Sequence, residues 1–144
     1  LTRIKELVEH ITKKHNTNDP FDLATKKNIH VILWNLHQEI KGFYKYDKRN
    51  KYIFINNNLD YNFQRFVCAH ELGHSELHPR FNTPFMRSKT LFSVSRIEIE
   101  ANTFAVELLM PDNELYKMND TNLTINEAAN IYGIPKEVSH LKKL

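Results

Sequence analysis

The stretch Val67-Cys68-Ala69-His70-Glu71-Leu72-Gly73-His74-Ser75-Glu76-Leu77-His78 decides how the chain is read. It contains HELGH, an H-E-x-x-H pattern with two imidazoles four residues apart. On a helix, positions i and i+4 share a face, so two ring nitrogens reach one metal ion. Glu71 lies about 100° further round the axis, close enough to touch a metal-held water without displacing a ligand. Zinc is a Lewis acid that lowers the pKa of such a water to about 7, and the carboxylate takes the proton. That is the chemistry of hydrolytic attack on a peptide carbonyl. The competing reading is a pair of core histidines hydrogen-bonded inside the fold.

Context favours the helix. From Leu59 to Leu77, Phe63, Phe66, Val67, His70, His74 and Leu77 recur at helical spacing, which puts both histidines on the inward stripe. Gly73 weakens a helix by about 1 kcal/mol relative to Ala, a cost explained by close approach of another backbone. Cys68 faces away from the histidines and reads as a buried structural thiol. As the single cysteine it has no internal disulfide partner, which fits a reducing cytoplasm.

Downstream, Ser95-Arg96-Ile97-Glu98 reads as a capping box opening a helix to about Met110, stopped by Pro111. Its inward stripe is Ile97, Ala101, Phe104, Ala105 and Leu108, and the two alanines permit tight packing against Gly73. A third metal ligand is needed, and Glu100 at the stripe's edge is the candidate, because a carboxylate at a buried edge is costly unless paired or metal-bound. Glu98 and Glu107 read as solvated helix glutamates.

Upstream, Leu1, Ile4, Leu7, Val8 and Ile11 mark an amphipathic helix, and Asp19-Pro20 starts a short second one. Residues Ile29 to Leu36, Gly42 to Tyr46 and Lys51 to Asn56 read as three strands in a meander, with Asp47 to Asn50 as a turn. Tyr52 and Phe54 point to one face of the last strand, Ile53 and Ile55 to the other. The edge of that strand is the expected wall of a substrate cleft, and Tyr52 a candidate donor to a developing oxyanion. Arg80 to Lys89 has no period and carries the exposed-looking Phe85 and Met86, which suits a flap or a disordered loop. Thr124-Ile125-Asn126-Glu127 is a further capping box whose helix closes at Gly133, with a last short helix from Pro135. This tail reads as a helical hairpin packed on the core, with a helix-turn-helix as the alternative.

The 144 residues, 41% hydrophobic and 26% charged, suit one soluble domain with a core. A net charge of +3 is too weak to argue for nucleic acid by itself. No apolar run approaches the roughly 20 residues that span a bilayer, and no signal-like segment opens the chain. The expected setting is therefore the cytoplasm, away from membranes.

HELGHSELH followed by Glu98-Ile99-Glu100-Ala101-Asn102-Thr103-Phe104-Ala105-Val106-Glu107-Leu108-Leu109-Met110-Pro111 resembles the ImmA/IrrE-type metallopeptidases of bacteria and their mobile elements. The likeness extends to the Gly42-to-Asn56 hairpin and to the tail. It implies an α+β fold: a zincin-like core with a small three-stranded antiparallel sheet on helices, an HExxH helix, a Glu-bearing helix and a C-terminal helical hairpin. It also implies one domain over 1–144, with core at 1–120 and tail at 121–144. By the same resemblance one zinc ion falls to His70, His74 and Glu100, the glutamate directly before Ala-Asn, with Glu71 as general base. His78 matches a family position as well. It lies about 12 Å along a straight helix from His70, too far to share the metal, so it is expected to support the ligands or contact the oxyanion. The implied substrate is a helix-turn-helix repressor, cut to release mobile-element or stress genes. Two other classes stay open: a zinc-stabilised regulator that binds a repressor or DNA without proteolysis, and a toxin–antitoxin component.

Overall fold

At Lys48 and Arg49 the backbone takes positive φ (50° and 69°), the geometry of a tight hairpin turn, and this turn anchors the sheet. The computed structural model describes residues 2–118 and 122–144. In chain order they form α1 (Thr2–His15), α2 (Pro20–Lys26), β1 (Ile29–Trp34), β2 (Gly42–Asp47), β3 (Asn50–Asn56), α3 (Tyr61–Leu77), α4 (Arg87–Leu91), α5 (Arg96–Leu109), α6 (Asp112–Lys117), α7 (Ile125–Ile131) and a closing 3₁₀ helix, Lys136–Leu141. The fold is α+β. The boundary expected between residues 120 and 121 lies outside the described residues.

Helix starts follow local chemistry. The Asp19 carboxylate accepts from the amides of Phe21 and Asp22, with Pro20 in the first turn. Asp60 accepts from the Phe63 amide at 2.9 Å and opens α3. Thr124 and Glu127 cap α7 reciprocally, the box read from the sequence.

The sheet corrects the expected meander. Its order is β1-β3-β2, with β2 antiparallel and β1 parallel to β3, so it is mixed rather than antiparallel throughout. The connection from β1 passes the end of β3, where the Asn56 side-chain amide donates to the carbonyls of Leu36, His37 and Ile40. Strand β3 is thus central, and its backbone is paired on both sides. The outer strands are β1 and β2, so β3 offers no edge to a substrate.

Ile53 and Ile55 are fully buried on the sheet face that packs on α3, and Tyr44 of β2 joins them. Helix α5 covers the other side of α3. A Cβ on Gly73 would sit 3.0 Å from Phe104 Cβ and 3.2 Å from Ala101 Cα, the close approach expected of this glycine. Cys68 is buried, also as expected.

Between α3 and α4 the chain is not a free loop. Phe85 is fully buried, against the expectation that it is exposed. Its amide donates to Gly42 O at 2.7 Å, and its carbonyl accepts from Lys41 N at 2.8 Å, extending the β2 edge. The tail packs back as a hairpin: Val138 and Ser139 are buried, and the 3₁₀ helix lies against α5. Among the described residues no helix is long and apolar enough to cross a membrane.

Candidate metal centre

Helix α3 turns His70 and His74 inward together, and their Nε2 atoms lie 3.0 Å apart. Both rings are 1% exposed and Glu71 is 0% exposed. Ligand atoms of His70, Glu71 and His74 all fall within 4.8 Å of one another. Both Glu71 carboxylate oxygens are buried with no hydrogen-bond partner. A buried carboxylate left unpartnered is costly, so this one is held for a purpose other than packing.

The structure does not bring Glu100 to the histidine pair. Glu98 is there instead: its Oε1 lies 2.8 Å from His74 Nε2 and 3.2 Å from His70 Nε2. The capping box that assigned Glu98 to the helix start does not form. Ser95 is the N-cap residue, but its side chain makes no cap hydrogen bond. The Glu98 carboxylate turns inward rather than back to the Ser95 amide. Glu100 points to the neighbouring imidazole, with Oε1 2.8 Å from His78 Nε2, and its Oε2 accepts from Arg3 and Arg96. Glu107, also read as solvated, is buried against Lys142.

The electrostatics suit a cation. Burial lowers His74 to about 4, which keeps its ring neutral near pH 7. Burial also pushes the Glu98 carboxyl up, but hydrogen bonds from His70 and His74 outweigh it and hold the group down at about 2. Glu71 is raised well above the usual carboxylate range, first by burial and then by the charge of Glu98. A neutral imidazole beside an anionic carboxylate is what a divalent ion binds, and a cation here would relieve the strain on Glu71. The donor set therefore fits zinc.

Further groups hold the rings. His70 Nδ1 lies 2.8 Å from Asn102 Oδ1, and the Asn102 amide nitrogen donates to Thr90 O. His74 Nδ1 lies 3.1 Å from His78 Nδ1. Phe85 packs edge-on against His70 with centroids 4.8 Å apart, and Phe81 tilts over His74 at 4.7 Å. The strap Pro79–Phe85 runs antiparallel beside β2. Its Pro79 carbonyl accepts from the Tyr44 hydroxyl, Arg80 lies over the Tyr46 ring, and Phe85 meets Gly42.

Tyr52 is not part of this site. It is half-buried on the sheet face opposite Ile53 and Ile55, stacked on His30 with centroids 5.3 Å apart. Its alternation in β3 puts it on the side away from α3, which removes it as an oxyanion donor. Glu98 and Asn102 had a sequence signal that the expected capping box masked. They sit three residues before and one after Ala101, on the face that meets α3. Phe81 had none, because its place depends on the strap's path.

The IrrE N-terminal-like domain of peptidase family M78 matches residues 24–142. The "uncharacterized immunity region protein 2" of Bacillus phage phi105 is 57% identical over 143 residues, covering 99% of this chain and 90% of that protein. "Metallopeptidase ImmA" of Bacillus subtilis is 33% identical over 112 residues, or 78% of this chain and 66% of that protein. With the paired histidines, the unpartnered glutamate and these matches in place, the chain belongs to the ImmA/IrrE-type metallopeptidase family.

Proposed function

We propose that the chain is a cytoplasmic zinc endopeptidase that cleaves a helix-turn-helix repressor, with His70, His74 and Glu98 as the ligands and Glu71 as general base. The observation that carries this reading is the Glu71 carboxylate, fully buried beside both histidines with neither oxygen partnered. A purely structural metal site needs no such group. Zinc, when bound, supplies Lewis acidity toward water and the scissile carbonyl. Glu71 takes the proton of the attacking water and passes it to the leaving amine. Asn102 orients His70, and in the substrate-free chain Phe85 and Phe81 cover the two imidazoles.

The repressor class rests on the family resemblance, and the phage relative's place in an immunity region supports it. Substrate binding moves from the expected β3 edge to the outer edge of β2, where the strap now lies. An extended peptide there gains main-chain hydrogen bonds and takes the place of the strap beside the histidines.

Incubating the zinc-loaded chain with helix-turn-helix repressors drawn from its own genome, followed by mass spectrometry, tests the reaction. Discrete cleavage by the wild type, lost in a zinc-retaining Glu71→Gln variant, is expected. Tight repressor binding without any cut would replace this reading with that of a non-proteolytic regulator. Hydrogen exchange on the Glu71→Gln complex tests the edge: β2 amides gain protection while amides of residues 80–86 lose it. The opposite pattern removes the β2 edge as the docking strand.

A further inference from the structure

His78 is the site residue whose role the reaction leaves open. It follows the last turn of α3 as its C-cap, with its amide bonded to His74 O at 2.7 Å. Both of its ring nitrogens are engaged. Nδ1 faces His74 Nδ1 at 3.1 Å, and Nε2 faces Glu100 Oε1 at 2.8 Å. The far oxygen of Glu100 accepts from Arg3 at 2.9 Å and from Arg96 at 3.3 Å. The result is a continuous line from a metal-facing imidazole to a carboxylate clamped by two guanidinium groups.

We propose that His78 and Glu100 are positioning residues, a relay that fixes the tautomer and ring angle of His74 for zinc. This rests on the zinc reading above, and it follows from proton placement alone. His74 Nε2 points at Glu98 and His70, so that nitrogen supplies the lone pair to a metal. A metal on Nε2 replaces the proton that meets Glu98 in the metal-free chain, so the one remaining proton must sit on Nδ1, where it can only be donated to His78 Nδ1. His78 accepts there, so its own proton sits on Nε2 and is donated to Glu100. Each bond forces the next, in one direction. A hydrogen bond to the outer nitrogen of a ligating histidine orients the ring and raises its basicity.

The other ligand is held differently. The Asn102 nitrogen donates to Thr90 O, which fixes the amide so that its oxygen accepts from His70 Nδ1. His70 thus leans on a neutral amide, whereas His74 leans through His78 on an anion. The relay also explains why both nitrogens of His78 are turned away from the metal position. Glu100, named from the sequence as a ligand, acts here from behind one.

The test uses the full chain loaded with zinc, with affinity read by chelator competition and tautomers by long-range ¹H–¹⁵N spectra of histidine-labelled protein. The relay predicts an Nε2–H tautomer at His78. It predicts that His78→Phe and Glu100→Leu each weaken zinc binding about 10–100-fold, the usual effect of losing such a partner. His78→Gln, whose amide can accept from His74 and donate to Glu100, recovers most of the loss. Should His78→Phe fail to fold, Glu100→Leu and the wild-type tautomer carry the test. An Nδ1–H tautomer at His78, or wild-type zinc affinity in folded Glu100→Leu, overturns the relay and leaves the metal site standing. A wild-type chain that binds no zinc overturns both.

Discussion

Two buried acidic clusters sit at opposite ends of α5, and they are built on opposite rules. At its C-terminal end, Glu107 accepts from Lys142 Nζ at 2.7 Å and from the Lys143 amide at 3.0 Å. Asp112 beside it accepts from Lys142 and Lys5. Every charge there has an opposite charge, and the cluster ties the C-terminal segment to α1 and α5. At the N-terminal end, Glu98 meets only imidazoles and Glu71 meets nothing. The first cluster is complete as it stands; the second has a place for a cation. A buried acid thus reports structure or chemistry by whether its charge is answered.

The contrast is broken most severely at Glu71. Replacing it by Gln is expected to lower peptide hydrolysis by orders of magnitude while zinc content holds, since an amide cannot take the proton. Stability should move the other way. A carboxyl raised on folding costs stability at every pH above its unfolded value, so metal-free Glu71→Gln should melt above metal-free wild type at pH 7. A lower melting temperature would mean that Glu71 has a partner in solution.

Lys142→Met attacks the complete cluster. Its side chain is 0% exposed, and removing it leaves Glu107 buried without that partner, a loss of about 3–5 kcal/mol in urea unfolding. Zinc affinity of the folded fraction should be unchanged, and a fall would couple the two ends of α5.

Gly73→Ala probes the seam between α3 and α5. The added methyl meets Phe104 at 3.0 Å, a strain of about 1–3 kcal/mol, against which better helix propensity returns about 1 kcal/mol. A net loss of about 1 kcal/mol is expected, together with weaker zinc binding as Glu98 is pushed from the histidines. A stabilised variant with full zinc affinity would show that the seam has slack.

The smallest effect is acid sensitivity at Asp112. Burial pushes its carboxyl up, but hydrogen bonds from Lys142 and Lys5 outweigh that and hold it below the usual value. A depressed carboxyl contributes stability that is present above its unfolded pKa, about 3.9, and lost as pH falls through the folded value. The stability gap between wild type and Asp112→Asn should therefore be constant above about pH 5 and close in stronger acid. A gap that does not change with pH would exclude the ion pairs as its source.

The sequence made some of this legible and hid the rest for identifiable reasons. HELGH and its apolar neighbours placed α3, His70, His74 and Glu71, because helical periodicity alone fixes which side chains share a face. Gly73 pointed to a close neighbour for the same reason. Glu98 and Glu100 were harder, since they lie about 200° apart on one helix and the choice depends on where α3 crosses it. That crossing is set by Gly73 against Ala101 and Phe104, a tertiary fact. A plausible capping box then drew Glu98 to the helix end. The parallel pairing of β1 was hidden because alternation records faces and says nothing of strand order. Phe85 looked exposed because its burial comes from pairing with Gly42, far away in sequence.

The central claim is that His70, His74 and Glu98 close around one zinc ion beside Glu71. A crystal of the zinc-loaded chain, with anomalous data collected across the zinc edge, measures it directly. The account predicts one peak about 2.0–2.2 Å from His70 Nε2, His74 Nε2 and a Glu98 carboxylate oxygen, with Glu100 on His78. A peak coordinated by Glu100 with Glu98 turned away, or no peak at the histidines of a zinc-saturated crystal, would contradict it.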